Sequence, residues 1–185
     1  MGITLYTDKI ITELSHCLKG ISAEAVDQLA GRIIASEKIF VAGAGRSGLM
    51  MKALAMRLMH MGYSAHVVGE TTTPGISRDD VLIIGSGSGE TASLLSMVRK
   101  AKAIGASVAV ATISADSSIG ALSDIVVRIP ASSKEQTDSG AITAQPMGSL
   151  FEQSLLLLSD ALILSLMDRQ KLDSSKMFGN HANLE

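Results

Sequence analysis

Two spacings of apolar residues alternate along this chain. From Leu5 to Lys19, residues Ile10, Ile11, Leu14, Cys17 and Leu18 recur at helical intervals, and Gly20 stops the run. Ser22, followed by Glu24 and Ala25, reads as the cap and first turn of a second helix running to about Ala35. Short, mostly apolar runs then take over, at Lys38–Ala42, Tyr63–Val68, Asp80–Ile84, Ser107–Thr112 and Asp124–Ile129. Runs this short and apolar on both sides are those of parallel strands covered on both faces. Helical spacing returns over Leu49–Met61 and in TASLLSMVRKAKAIG from Thr91 onward. Strand and helix alternate from Lys38 to Ile129, which predicts an α/β fold: a three-layer αβα sandwich around a five-stranded parallel sheet. Right-handed crossovers leave few topologies, and a flavodoxin-like strand order is expected.

The alternation ends at PASSKEQTDSGAITAQP, a polar stretch rich in small residues that predicts a long loop over 130–146. Met147–Gln170 reads as one long helix, with LLLL and ALILSLM expected to be deeply buried. A short helix and the tail NHANLE close the sequence. The expected organisation is one domain over 1–185: two helices in 5–35, a βα core in 38–129, the loop, and a C-terminal helix and tail in 147–185. The first two helices would cover a sheet face or pair with a neighbouring chain.

Composition narrows the class. Apolar residues make up 46% and charged residues 18% of the 185, the balance of a globular domain. A net charge of -2 gives no reason to expect nucleic acid or an anionic membrane as partner. The single Cys17 excludes an intrachain disulfide and fits a reducing compartment. The N-terminus lacks a basic region followed by an apolar core, and apolar runs such as Leu155–Leu158 fall far short of a membrane span. A cytoplasmic location is expected. Met50, Met51, Met56, Met59 and Met61 crowd one segment, where flexible thioethers suit core or subunit packing.

The chemistry sits in two loops. VLIIGSGSGET, Val81–Thr91, is a strand running into alternate glycines and then a helix. There backbone N–H groups, the hydroxyls of Ser86, Ser88 and Thr91 and the positive end of a helix dipole converge, which predicts an anion site. It lacks the GK[ST] ending of a P-loop, so a phosphate monoester fits better than a nucleoside triphosphate. GAGRSG, Gly43–Gly48, is a formal GxGxxG between strand and helix, with Glu70 placed where a ribose-binding acid would follow. Arg46 and Ser47, however, put a charge and a hydroxyl where a dinucleotide loop keeps small apolar residues. In the expected order the strands before these loops are neighbours, and both loops open at the crevice where the order reverses.

AGAGRSG, MRLMHMG, IGSGSGET, QPMGSLFEQ and the terminal NHANLE together resemble the sugar isomerase (SIS) family, in its hexulose-phosphate isomerase branch, over essentially the whole chain. The resemblance implies an SIS fold and interconversion of D-arabino-hex-3-ulose 6-phosphate and D-fructose 6-phosphate, the step after formaldehyde is fixed onto ribulose 5-phosphate. It implies a homotetramer with sites at subunit interfaces, functional coupling to hexulose-phosphate synthase, and no cofactor or metal. Carried onto this chain, it makes Gly45, Arg46, Ser47 and Gly85, Ser86, Gly87, Ser88, Gly89, Glu90 and Thr91 substrate-binding, and Glu152 the proton acceptor. From the residues alone Glu152 also fits an ordinary first-turn glutamate that complements a helix dipole. His181 is a candidate proton shuttle reaching a neighbour's site, or a solvent-exposed tail residue. Arg46 is a candidate for stabilising enediolate charge, or for a bridge between subunits. His16, His60 and His66 read as structural. A pentose phosphate isomerase and a non-catalytic phosphosugar sensor remain the alternatives.

Overall fold

The strands are apolar on both sides because both sides are covered. Strands β1 (Lys38–Gly43), β2 (Ser64–Val67), β3 (Val81–Gly85), β4 (Ser107–Thr112) and β5 (Ile125–Arg128) form one parallel sheet in the order β2-β1-β3-β4-β5. This is the expected flavodoxin-like order. The computed structural model describes residues 2–131 and 143–184. Successive strand residues face opposite layers. Ile39, Val41, Val81, Ile83, Ala109, Ala111 and Val127 join one core with helices α2 (Ala23–Ala35), α3 (Gly45–His60) and α6 (Ser149–Gln170). Phe40, Ala42, Leu82, Ile84, Val108 and Val110 join a second core with α4 (Ala92–Ile104) and α5 (Ser118–Leu122). Each fully buried aliphatic or aromatic side chain contributes on the order of 2 kcal/mol, so the two cores hold the layers together.

α1 (Ile3–Lys19) packs on α6, and only Cys17 of it is buried. The first helix therefore forms an outer layer, while α2 reaches both β5 and α6. α7 (Ser174–Phe178) is the short C-terminal helix, capped by Asp173.

The structure departs from the expectations in two places, the β2–β3 connection and the outer face of α6. The β2–β3 connection, 68–80, contains no helix. Gly69, Pro74 and Gly75 interrupt it, and it is pinned instead by side chains. Thr73 Oγ1 donates to Val67 O at 2.6 Å. The buried Asp80 carboxylate accepts from Ser77 N at 2.6 Å, Ser77 Oγ at 2.9 Å and Lys38 N at 3.0 Å, with Lys38 Nζ alongside. Between β4 and β5 lies the five-residue α5, too short for its apolar period to show in the sequence. Within α6, Leu155, Leu158, Leu162, Ile163 and Leu166 are buried as expected, but Leu157 and Leu164 are exposed. A helix packed on one side leaves a face outward, and here that face is still leucine. By length and composition α6 would suffice to cross a membrane, yet half of its most apolar stretch is packed inside the domain. Most of the loop expected over 130–146 lies outside the described residues.

Candidate active site

Three helices start at one hollow, and none of the three has a side-chain cap. α3, α4 and α6 begin after Ala44, Thr91 and Gly148, and none of these residues caps its helix through a side chain. Ser22, Ser117 and Asp173, by contrast, cap α2, α5 and α7. Ala44, Thr91 and Gly148 all line a cavity of about 570 Å³, together with Ser47, Gly85, Ser86, Gly87, Ser88, Glu90, Leu94, Ile113, Ser114 and Phe151. Each helix start carries a partial positive charge of roughly half an electron. Convergence of the three favours an anion more strongly than any one of them. Glu152 is the sole acidic residue in these three first turns.

The cavity lies at the carboxyl ends of β1 and β3, where strand order reverses. Glycine backbone packs closely behind it. A Cβ on Gly48 would stand 2.7 Å from Gly43 O, and one on Gly43 would stand 3.1 Å from Gly85 O. Only side-chain-free residues let α3 start this close to the sheet.

Residues 85–91 are held from the β4 side. Ser86 N donates to Ala111 O, and Gly87 O accepts from Ile113 N and Thr112 Oγ1. Ser86 Oγ accepts from Gly89 N at 3.2 Å and Ser88 Oγ from Glu90 N at 3.2 Å, so both serines bond within the loop and neither caps α4. Gly89 sits at φ +65°, and a Cβ there would overlap Ser117 Oγ. Glu90 reaches the start of α5, where its Oε1 accepts from Ser118 N at 2.7 Å. The Ser118 amide and hydroxyl bonds hold the Glu90 carboxyl below the usual glutamate range. Glu90 lines the cavity, but its charge is directed at α5.

Glu152 is 3% exposed in the first turn of α6. Its Oε2 lies 3.1 Å from Arg46 Nη1, close enough for an ion pair. The Arg46 N–H is directed instead at Ser149 Oγ, 3.0 Å away, so Oε2 accepts no well-formed hydrogen bond. The unused acceptor capacity of this buried oxygen leaves it open to a group entering from the cavity side.

Ser47, Gly85, Ser86, Gly87, Ser88, Glu90 and Thr91 are thus brought together on one wall. Arg46 and Glu152 stand beside that wall, next to its Gly148 and Phe151, while Gly45 and Gly89 shape the loops from behind. His181 is not brought to this site. It stacks on His60 at 5.3 Å and on Phe178 at 6.0 Å. His60 ends α3 and Arg46 begins it, so at 1.5 Å per residue the two ends lie about 20 Å apart. Burial, with the Arg57 and His181 charges, holds the His60 imidazole below its ordinary value. Glu70, the acid a dinucleotide would need, is paired with Lys52 at 3.2 Å. Sequence reasoning missed Ile113, Ser114, Gly148 and Phe151. Ser114 follows β4 much as Ser86 follows β3, and that parallel was readable.

The profile of the SIS domain family matches residues 32–158. A Bacillus subtilis protein named 3-hexulose-6-phosphate isomerase is 54% identical over 185 residues, covering 100% of both chains. A Mycobacterium gastri protein of the same name is 44% identical, covering 94% of this chain and 86% of its own. A Methanococcus jannaschii protein, whose crystal structure infers a molecular function of 3-hexulose-6-phosphate isomerase, matches with a TM-score of 0.84 at 34% identity, covering 97% of this chain and 99% of that one. The chain therefore belongs to the SIS domain family.

Proposed function

We propose that this protein is an isomerase that interconverts 3-hexulose 6-phosphate and fructose 6-phosphate. The observation that carries the reading is the cavity at the switch point, where the Gly43–Gly48 and Gly85–Thr91 loops and three uncapped helix starts converge beside a buried carboxylate. Full-length similarity to a 3-hexulose-6-phosphate isomerase supports the substrate.

The phosphate is bound by the Gly85–Thr91 loop and the start of α4, with Ser47 closing the β1 side. The carbonyl must move from C3 to C2. Glu152 takes the C2 proton, the electron pair forms a 2,3-enediolate, and the same carboxyl returns a proton to C3. The hydroxyl proton passes from O2 to O3 as the C2 carbonyl forms, so atoms balance without an oxidant. Arg46, beside Glu152, offsets the developing enediolate charge. A 3-ketose whose O6 carries phosphate cannot close a five-membered ring, so the hexulose reacts as an open chain.

We further propose a homotetramer with sites at subunit interfaces. The exposed Leu157 and Leu164 of α6, and Ile3, Leu5 and Ile11 of α1, support burial against other copies. In that assembly His181 serves a neighbour's site, since its own lies a helix length away. The protein works in the cytoplasm, coupled to the synthase that makes the hexulose phosphate in the ribulose monophosphate pathway.

Incubation with fructose 6-phosphate in deuterium oxide tests the chemistry. Deuterium at C3 of fructose 6-phosphate, with appearance of the 3-ulose, is expected. Glu152→Gln is expected to lose on the order of a thousandfold in kcat while still binding the sugar phosphate. Binding without exchange in the unaltered protein would instead mark a phosphosugar sensor, and near-normal turnover by Glu152→Gln would remove Glu152 as the base.

A further inference from the structure

The turn that launches α6 is held by a residue far upstream. Met147 and Gly148 both adopt left-handed backbone, with φ +58° and +79°. Met147 is not glycine, and a side chain disfavours this conformation unless its surroundings impose it. Immediately before it, three consecutive residues converge on one carboxylate of α1. Glu13 Oε1 accepts from Ala144 N at 2.9 Å, and Glu13 Oε2 accepts from Thr143 Oγ1 at 2.5 Å and Gln145 Nε2 at 3.0 Å. Immediately after it, Pro146 O accepts from Ser149 N at 3.0 Å and Ser149 Oγ at 2.7 Å. Ser149 Oγ then receives Arg46 Nη1, the atom that faces Glu152.

We infer that Glu13 is a positioning residue for the isomerisation: it clamps Thr143–Gln145, and through the left-handed turn it fixes where Gly148, Ser149 and the Arg46–Glu152 pair stand. The inference rests on the catalytic reading of Glu152. Burial opposes charge on Glu13, but the bonds from Ala144, Thr143 and Gln145 outweigh it and keep the carboxyl below its ordinary value. The clamp is therefore charged at neutral pH. It touches no cavity residue of the phosphate loop, so the two functions separate. Loss of the clamp displaces the base, at the α6 start, far more than the Gly85–Thr91 loop that holds the phosphate.

The test is a split of kcat from KM in the full chain, with fructose 6-phosphate as substrate and thermal melting as a control for folding. Glu13→Ala is expected to lower kcat about ten- to a hundredfold, the effect of shifting a catalytic group by about an ångström, with KM changed less than about twofold. Glu13→Gln keeps the length and one acceptor oxygen, and falls between. Thr143→Val with Gln145→Ala removes two donors without touching α1, and reproduces the loss if Glu13→Ala does not fold. Asp27→Ala, which removes the exposed bond to Arg169 at the other end of α6, is expected to leave kcat unchanged. A folded Glu13→Ala or a folded double variant with wild-type kcat would overturn the inference, as would a loss confined to KM. No exchange by the unaltered protein would sink the catalytic reading, and the inference with it.

Discussion

In the Arg46–Glu152 pair, charge proximity and hydrogen bonding are separated. The two groups are 3.1 Å apart, yet the guanidinium N–H goes to Ser149. Arg46→Ala is expected to lower kcat more than it raises KM in the deuterium exchange assay. Arg46→Lys is expected to recover only part, because a flexible ammonium is not held by a planar guanidinium in the place where Nη1 meets both Ser149 and Glu152. Asp80 carries structure in place of chemistry. Burial opposes its charge, but bonds from Ser77 and Lys38 outweigh it and hold the carboxyl below the ordinary aspartate value of 3.8. A folded pKa below the unfolded one stabilises the protein above about pH 4, and that share is lost as pH falls through the lowered value. Asp80→Asn is expected to cost about 2 to 4 kcal/mol in urea unfolding at pH 7. The gap from wild type should narrow as pH falls below 4. Glu152 and Arg46 were legible as residues because their motifs are local. Asp80 and Glu13 were not, since their partners are set by how separate segments meet.

At the scale of elements, the α3 and α4 starts and the loop between β3 and α4 act as one wall because small residues let them meet. Gly89 is the clearest case. Its left-handed φ and the closeness of Ser117 leave no place for a side chain. Gly89→Ala is expected to weaken fructose 6-phosphate binding about tenfold or more by calorimetry, with thermal stability falling as α5 is pushed away. All five strands could be read from runs of aliphatic residues between turn signals, while their order came from the handedness of crossovers and not from any residue. The β2–β3 connection was misjudged because alternation was extended through GETTTPGISRDD, where Pro74 and two glycines break any helix. α5 was missed because five residues hold barely more than one turn.

Over the whole molecule, the apolar surface of a single chain is unfinished. Leu164 is 62% exposed on a helix whose other side is core. Leu164→Asp is expected to reduce the assembly size seen by light scattering while leaving the far-ultraviolet helix signal intact. An unchanged mass would place the interface elsewhere. The composition could announce that excess of leucine, but not which side of α6 it would occupy, since a helix apolar all round has no face to read. The glycines behind the cavity bear on redesign. Because Gly43 and Gly48 press together backbone to backbone there, and a Cβ on Gly85 would run into the Met51 and Leu155 side chains, exchanging these glycines offers no way to deepen the space available to a sugar. An engineer seeking a longer or bulkier substrate must instead carve at Phe151, Ile113 or Leu94, where side chains still form the boundary.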